Sequence, residues 1–221
     1  MKVTLSFLFK LFIFSLSTLG VYLTVRDAAY PIEALSYFTT IINIFTAFFY
    51  AFFIIELVLR KGPRPLLRFF KQSLMVYLIL TMLVYSFILI PYIIEAQINY
   101  QIFSGKDLLI HYVVPISVLV DYVWFEEKGK IKSFYAFANI LNIVFYVTYL
   151  SLYISLGGRF HSGNNLSIYP YFFLNIEQLG LNSVILVSLG ILVVVIFVGW
   201  VIYMIDQLIS IPLKLSQLKR K

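Results

Sequence analysis

Apolar runs of about twenty residues recur six times along the chain, each long enough to cross a hydrocarbon layer as a helix. They cover Leu5 to Thr24, Ser36 to Leu59, Leu74 to Ile94, Leu108 to Phe125, Ser133 to Leu156 and Asn182 to Ile205. Two of these runs carry polar residues at helical spacing. In the second, Thr39, Asn43, Thr46 and Tyr50 fall on one face; in the fifth, Asn139, Asn142, Tyr146, Tyr149 and Tyr153 do the same. Polar groups within a bilayer turn toward other helices or toward a wet cavity, so both stripes are expected to look inward. The pattern predicts an all-α polytopic membrane protein, with six transmembrane helices in one bundle spanning residues 1–221.

Composition supports this reading. The chain is 62% hydrophobic and 12% charged, too little polar surface to coat a water-soluble globule. Charge then sets the orientation. Most of the 17 Lys and Arg residues lie in two loops and the two tails: Lys2; Arg60, Lys61, Arg64, Arg68 and Lys71; Lys128, Lys130 and Lys132; Lys214, Lys219, Arg220 and Lys221. Arg26, Lys106 and Arg159 are the basic residues of the other loops. By the positive-inside bias both termini are expected to be cytoplasmic, in the plasma membrane. The same bias explains the net charge of +7, so no nucleic-acid partner is expected; membrane lipid is. The absence of cysteine removes disulfides and thiolate chemistry.

The first run differs from a signal peptide. Lys10 interrupts it and Asp27-Ala28-Ala29 is a poor cleavage site, so it is expected to be a retained helix with Lys10 snorkelling to the surface. Gly62-Pro63-Arg64-Pro65 marks a tight basic turn, with Leu66 to Phe70 along the interface. The loop from Gly157 to Leu181 carries Tyr169-Pro170-Tyr171-Phe172-Phe173-Leu174 between Gly- and Asn-rich flanks, including Ser162-Gly163-Asn164-Asn165. It suits either a lid or an interfacial aromatic belt.

His111 is the most informative single residue, because an ionisable group inside an apolar run is costly without a role. Pro115 has no N–H to offer the His111 carbonyl, so the helix should bend there. Thr39 and His111 both lie roughly 5–6 Å below the outer edges of their runs. A hydroxyl and an imidazole meeting at that depth would make a nucleophile and its base; the bland reading is a histidine bonded to a neighbouring helix. Asp121, about 15 Å along the helix from His111, is too far to orient it. With Glu56 and Asp206, Asp121 is expected to anchor helix ends to the basic loops, and Glu56 precedes Arg60 by the spacing of a helical ion pair. His161 lacks companions at metal-ligand spacing, and no metal or cofactor is expected.

Tyr37-Phe38-Thr39 with Asn43, His111-Tyr112-Val113-Val114-Pro115 with Asp121, and Tyr169-Pro170-Tyr171 with Phe173-Leu174 together resemble the bacterial six-helix relatives of the eukaryotic androgen-induced membrane proteins. The order and spacing of these segments cover nearly the whole chain. The resemblance implies an intramembrane hydrolase of fatty acid esters of hydroxy fatty acids, with Thr39 as nucleophile and His111 as general base. Thr40 takes the nucleophile's place if the match shifts by one residue. Tyr122 departs from the pattern, which has tryptophan there. The implied acyl tunnel would be lined by Asn43, Thr46, Tyr146, Tyr149, Tyr153, Tyr169 and Tyr171. A small-molecule binding or transport subunit, and a non-catalytic membrane protein, are the alternatives.

Overall fold

In a computed structural model, residues 2–59, 65–98, 100–162 and 165–218 are described. The basic turn at Gly62-Pro63-Arg64, Arg60 as the expected partner of Glu56, the Gly163-Asn164 pair, and Lys61, Lys219, Arg220 and Lys221 lie outside them.

Among the described residues, six helices are long and apolar enough to cross a membrane: Val3–Arg26, Phe38–Val58, Pro65–Glu95, Gly105–Phe125, Tyr135–Ser155 and Leu181–Ile211. The first is α1 (Lys2–Arg26). A short α2 (Pro31–Ser36) breaks at Tyr37, whose ψ of 140° is extended, and α3 (Phe38–Val58) begins immediately after. The third crossing is α4 (Pro65–Val84), a wide π-type turn (Tyr85–Leu89) and α5 (Ile90–Glu95). The fourth repeats that plan with α6 (Gly105–Leu108), a π-type turn (Leu109–Val113) and α7 (Val114–Phe125). After α8 (Tyr135–Ala138) and α9 (Ile140–Ser155) comes the long loop expected to face outward. It folds into a hairpin of β1 (Phe160–Ser162) and β2 (Asn165–Ser167), a 3-10 turn (Phe172–Leu174) and α10 (Ile176–Leu179) before α11 (Leu181–Leu218). In the hairpin Phe160 pairs with Ser167.

α4 is the central helix. Every residue from Lys71 to Leu78 is buried, which needs neighbours on all sides. α9, by contrast, has no buried residue. The core joins Ile13 of α1, Ile42 and Tyr50 of α3, Leu74 to Leu78 of α4, Val114 and Val118 of α7, and Val195 and Val198 of α11. Gly20 lets α1 approach the fourth crossing closely: a Cβ there would stand 2.7 Å from Ile110 Cγ2.

Three expectations are corrected. Leu66 to Phe70 do not lie along the interface as a separate segment but form the first turns of α4. Their continuation into the crossing is favoured by partners for the charges there: Arg68 pairs with Glu127 at 2.9 Å, and Lys71 is buried against Asp121 and Glu126. Lys10 does not snorkel. Its Nζ lies 2.8 Å from Asp121 Oδ1 and 2.9 Å from Glu126 Oε1, so α1 is pinned to α7 by a buried ion pair. Asp121 thus holds four helices together rather than a basic loop, because Lys10, Lys71 and Tyr50 (3.0 Å) converge on it from α1, α4 and α3. Two lysines against two carboxylates leave the cluster without net charge, the condition for burying it. Glu126, just beyond α7, is pushed up by burial, but Lys71 and Lys10 outweigh this and hold it down at about 2. Asp206 of α11 anchors the following connection, accepting from the N–H groups of Gly129 (2.7 Å) and Ile131 (2.9 Å) and from the Tyr122 hydroxyl.

Candidate functional site

Both π-type turns stand just before a proline. Within the second, the N–H of Val114 donates to Leu109, and Pro115 has no N–H. The carbonyls of Ile110 and His111 therefore lack the helical donors that would ordinarily serve them. Asn43 supplies the Ile110 carbonyl with a hydrogen bond across the helix interface at 3.2 Å, while also bonding the Thr39 carbonyl of its own helix at 2.8 Å. One buried amide therefore ties the start of α3 to the turn that carries His111. In the other π-type turn, Tyr85 stacks on His111, with ring centroids 3.8 Å apart and planes 8° from parallel. Wide turns of this kind are costly, and they recur at functional sites because they redirect side chains out of the helical register.

His111 is buried at 6% exposure. Its Nδ1 has no hydrogen-bond partner among the described residues, and the Thr81 carbonyl of α4 is near the ring. In a neutral imidazole that carries its proton on Nε2, Nδ1 is the acceptor a general base requires.

Thr39 stands at the second position of α3 rather than a turn into a continuous helix, because the chain breaks at Tyr37. This end of the helix has no local side-chain cap. The Phe38 N–H instead donates to the Tyr171 hydroxyl oxygen at 3.0 Å, so the loop between α9 and α11 caps α3. Burial pushes the Tyr171 phenol up to about 12, against the opposing effect of the Phe38 and Thr39 amides. Tyr171 therefore keeps a proton at neutral pH.

Thr39, Thr40, His111, Tyr169 and Tyr171 share the wall of one cavity of about 600 Å³ at the end of the bundle that carries the loop between α9 and α11. Thr39 and Tyr171 also line a second, largely apolar cavity of about 210 Å³ between the second, third, fifth and sixth crossings. A third, of about 580 Å³, lies between α3, α4 and α9. Phe38 and Tyr146 separate the last two, with ring centroids 5.0 Å apart.

The remaining residues of the expected acyl tunnel divide. Asn43 and Thr46 are fully buried and engaged, Thr46 donating to its own helix at Ile42 (2.7 Å), so they tie and pack rather than face a cavity. Tyr146 and Tyr149 line the apolar cavities and also bond the carbonyl (3.2 Å) and hydroxyl (3.1 Å) of Ser36. Tyr153 is turned to the surface loop, donating to the Arg159 carbonyl at 3.0 Å. The stripe drifts away from the bundle because α9 touches its neighbours along one side only.

Several residues at the cavity were not foreseen. Asp107, one helical turn before His111, is 2% exposed; its Oδ1 accepts from Tyr100 at 2.6 Å, and its Oδ2 has no hydrogen-bond partner among the described residues, with the Tyr85 hydroxyl within electrostatic reach of the carboxylate. The spacing of Asp107 and His111 was a usable signal. Glu33 is buried and accepts from the Tyr37 hydroxyl (2.9 Å) and the His161 N–H (2.9 Å), while His161 Nδ1 lies 2.6 Å from its other oxygen. Tyr30 stacks on the His161 ring with centroids 3.5 Å apart. No local pattern links Glu33 to a histidine 128 residues away. Neither a family model, a curated protein nor a solved structure matches the chain.

Proposed function

We propose that this multi-pass membrane protein is a hydrolase of a long-chain acyl ester, related to the androgen-induced membrane proteins, with Thr39 as nucleophile and His111 as base. In this reading it sits in the plasma membrane with both termini cytoplasmic, and the cavity opens outward. One observation carries the proposal: Thr39 lines both the cavity whose wall also includes His111 and Tyr171 and a second, largely apolar cavity. An amphipathic ester needs that division, with its carbonyl at the boundary and its chain in the dry side.

In the first half-reaction the Thr39 hydroxyl oxygen attacks the ester carbonyl as His111 Nδ1 takes its proton. The tetrahedral intermediate then expels the alcohol, which leaves with that proton, and the acyl group stays on Thr39. Water repeats the sequence: His111 takes its proton, the hydroxide adds to the acyl carbonyl, and the carboxylic acid departs as Thr39 recovers its hydrogen. The oxyanion falls at the positive end of α3, where the Tyr171 hydroxyl, which accepts from the Phe38 N–H and keeps its own proton, is the donor at hand. No cofactor enters this scheme.

The test is ester turnover by purified protein. Thr39→Ala and His111→Ala should each lower turnover by at least about a hundredfold while Thr40→Ala retains it. Turnover unchanged in both of the first two would remove the reading, and stable co-purification with an energy-coupling partner would replace it with a transport role.

A further inference from the structure

The two apolar cavities differ in reach. The near one, of about 210 Å³, has Thr39 on its wall; at about 30 Å³ for each water-sized group it holds about seven methylenes. The far one, of about 580 Å³, lacks Thr39 and follows α3 from Phe38 to Phe49, roughly 16 Å along the helix. Polar groups on its wall are turned to partners: Ser73 donates to Asn139 Oδ1 at 2.7 Å, Tyr77 to the Asn139 carbonyl, Tyr149 bonds the Ser36 hydroxyl at 3.1 Å, and Asn142 faces Tyr77. Such a space offers water little and suits hydrocarbon. It also meets the bilayer, since Phe45 of α3 and Phe145 of α9 stand exposed on its wall.

Phe38 and Tyr146 are the wall residues the two cavities share, and they are held unequally. Phe38 is fixed at both ends: its N–H donates to Tyr171, and its ring meets Tyr77 edge-on at 5.4 Å. Tyr146 comes from α9, the helix with no buried residue, and its hydroxyl reaches the Ser36 carbonyl at 3.2 Å. Tyr146 is therefore the side that can swing. We propose that the far cavity is the second half of an acyl-chain site and that the Phe38–Tyr146 pair is the gate between the halves. A chain of about eight carbons ends against the pair, whereas one twice as long displaces the Tyr146 ring and continues along α3. The proposal deepens the hydrolase reading by naming what sets the chain length of its substrate, and rests on that reading for the ester bond at Thr39.

Photolabelling reads the position of a chain without turnover, so it stands or fails separately from hydrolysis. Full-length protein carrying Thr39→Ala, in lipid nanodiscs, is irradiated with methyl octanoate or methyl hexadecanoate bearing a diazirine at the chain end, and the labelled residues are located by mass spectrometry. The octanoate should label the near cavity, at Val84, Ile191 or Leu192, and the hexadecanoate the far one, at Ile42, Phe49 or Leu74. Excess unlabelled methyl octanoate should remove the far label, because both esters place their carbonyl beside position 39 and only the long one extends past the gate. Tyr146→Trp thickens the gate and should lower the far label about tenfold, while octanoate labelling of the near cavity persists and shows the variant folded. A far label that octanoate does not displace arises from chains entering directly from the bilayer and overturns the inference. Hexadecanoate labelling that stays in the near cavity, misses both cavities or ignores Tyr146→Trp overturns it as well. Absence of ester turnover in the wild type with these labels intact would remove the hydrolase and leave the gated chain site standing.

Discussion

Replacing Asn43 by alanine should loosen the site without touching either proposed catalytic side chain. Asn43 is fully buried and makes one bond to the Thr39 carbonyl (2.8 Å) and one to Ile110 (3.2 Å). An interhelical hydrogen bond in a membrane protein contributes about 0.6 kcal/mol on average and up to about 1.7. The larger effect is on the Ile110 carbonyl, which has no alternative donor because Val114 serves Leu109 and Pro115 has none. Stranding a buried acceptor costs about 1–3 kcal/mol. Asn43 Oδ1 itself has no hydrogen-bond partner among the described residues, and its removal offsets part of the loss. A net destabilisation of about 1–3 kcal/mol follows. Thermal unfolding in detergent, followed by the fluorescence of Trp124 and Trp200, would measure it beside ester turnover. Asn43→Leu, which refills the volume, should lose nearly as much stability, since the stranded carbonyl is common to both. Wild-type stability in Asn43→Ala would refute the idea that this amide completes the π-type turn, and unchanged turnover would refute its part in holding the turn that carries His111 beside the start of α3.

Three further outcomes are expected. Asp121→Asn leaves Lys10 and Lys71 facing each other with Glu126 as their remaining acid, and should destabilise the protein by about 3–5 kcal/mol in the same unfolding assay. Glu126, held at about 2 against an ordinary 4.5, contributes about 3 kcal/mol that is fully present above pH 4.5 and lost as pH falls through 2. The stability gap between wild type and Glu126→Gln should therefore narrow over that window, and a gap independent of pH would contradict the ion pairing. Gly199→Ala places a Cβ 2.9 Å from the backbone of Ala136, so unfolding should show α11 forced off α8 at a cost of about 1–3 kcal/mol.

Much of the architecture was legible along the chain because lipid imposes simple rules on length and polarity. All six crossings read as apolar runs, and Pro115 announced the irregular backbone beside His111. What hydropathy misread were charges with partners. Lys10 and Lys71 looked like surface or interfacial residues because a buried lysine is tolerated only by acids that are distant in sequence, here Asp121 and Glu126. The break at Tyr37 was also hidden, since apolar residues continue on both sides of it. That break moves Thr39 to a helix start, with donors beside it that a residue inside a helix lacks. Spacing set Thr39 and His111 a similar distance into their apolar runs; their common cavity depends on the wide turns and on Tyr171 arriving from the loop between α9 and α11.

An acyl group caught on the nucleophile is the most direct evidence for the mechanism. Protein mixed with a long-chain ester, quenched in acid within one turnover and digested for mass spectrometry should carry the acyl mass on Thr39, with the adduct lost in Thr39→Ala and formed far more slowly in His111→Ala. Continued hydrolysis with no acylated residue, or with the acyl group on Thr40, would contradict it.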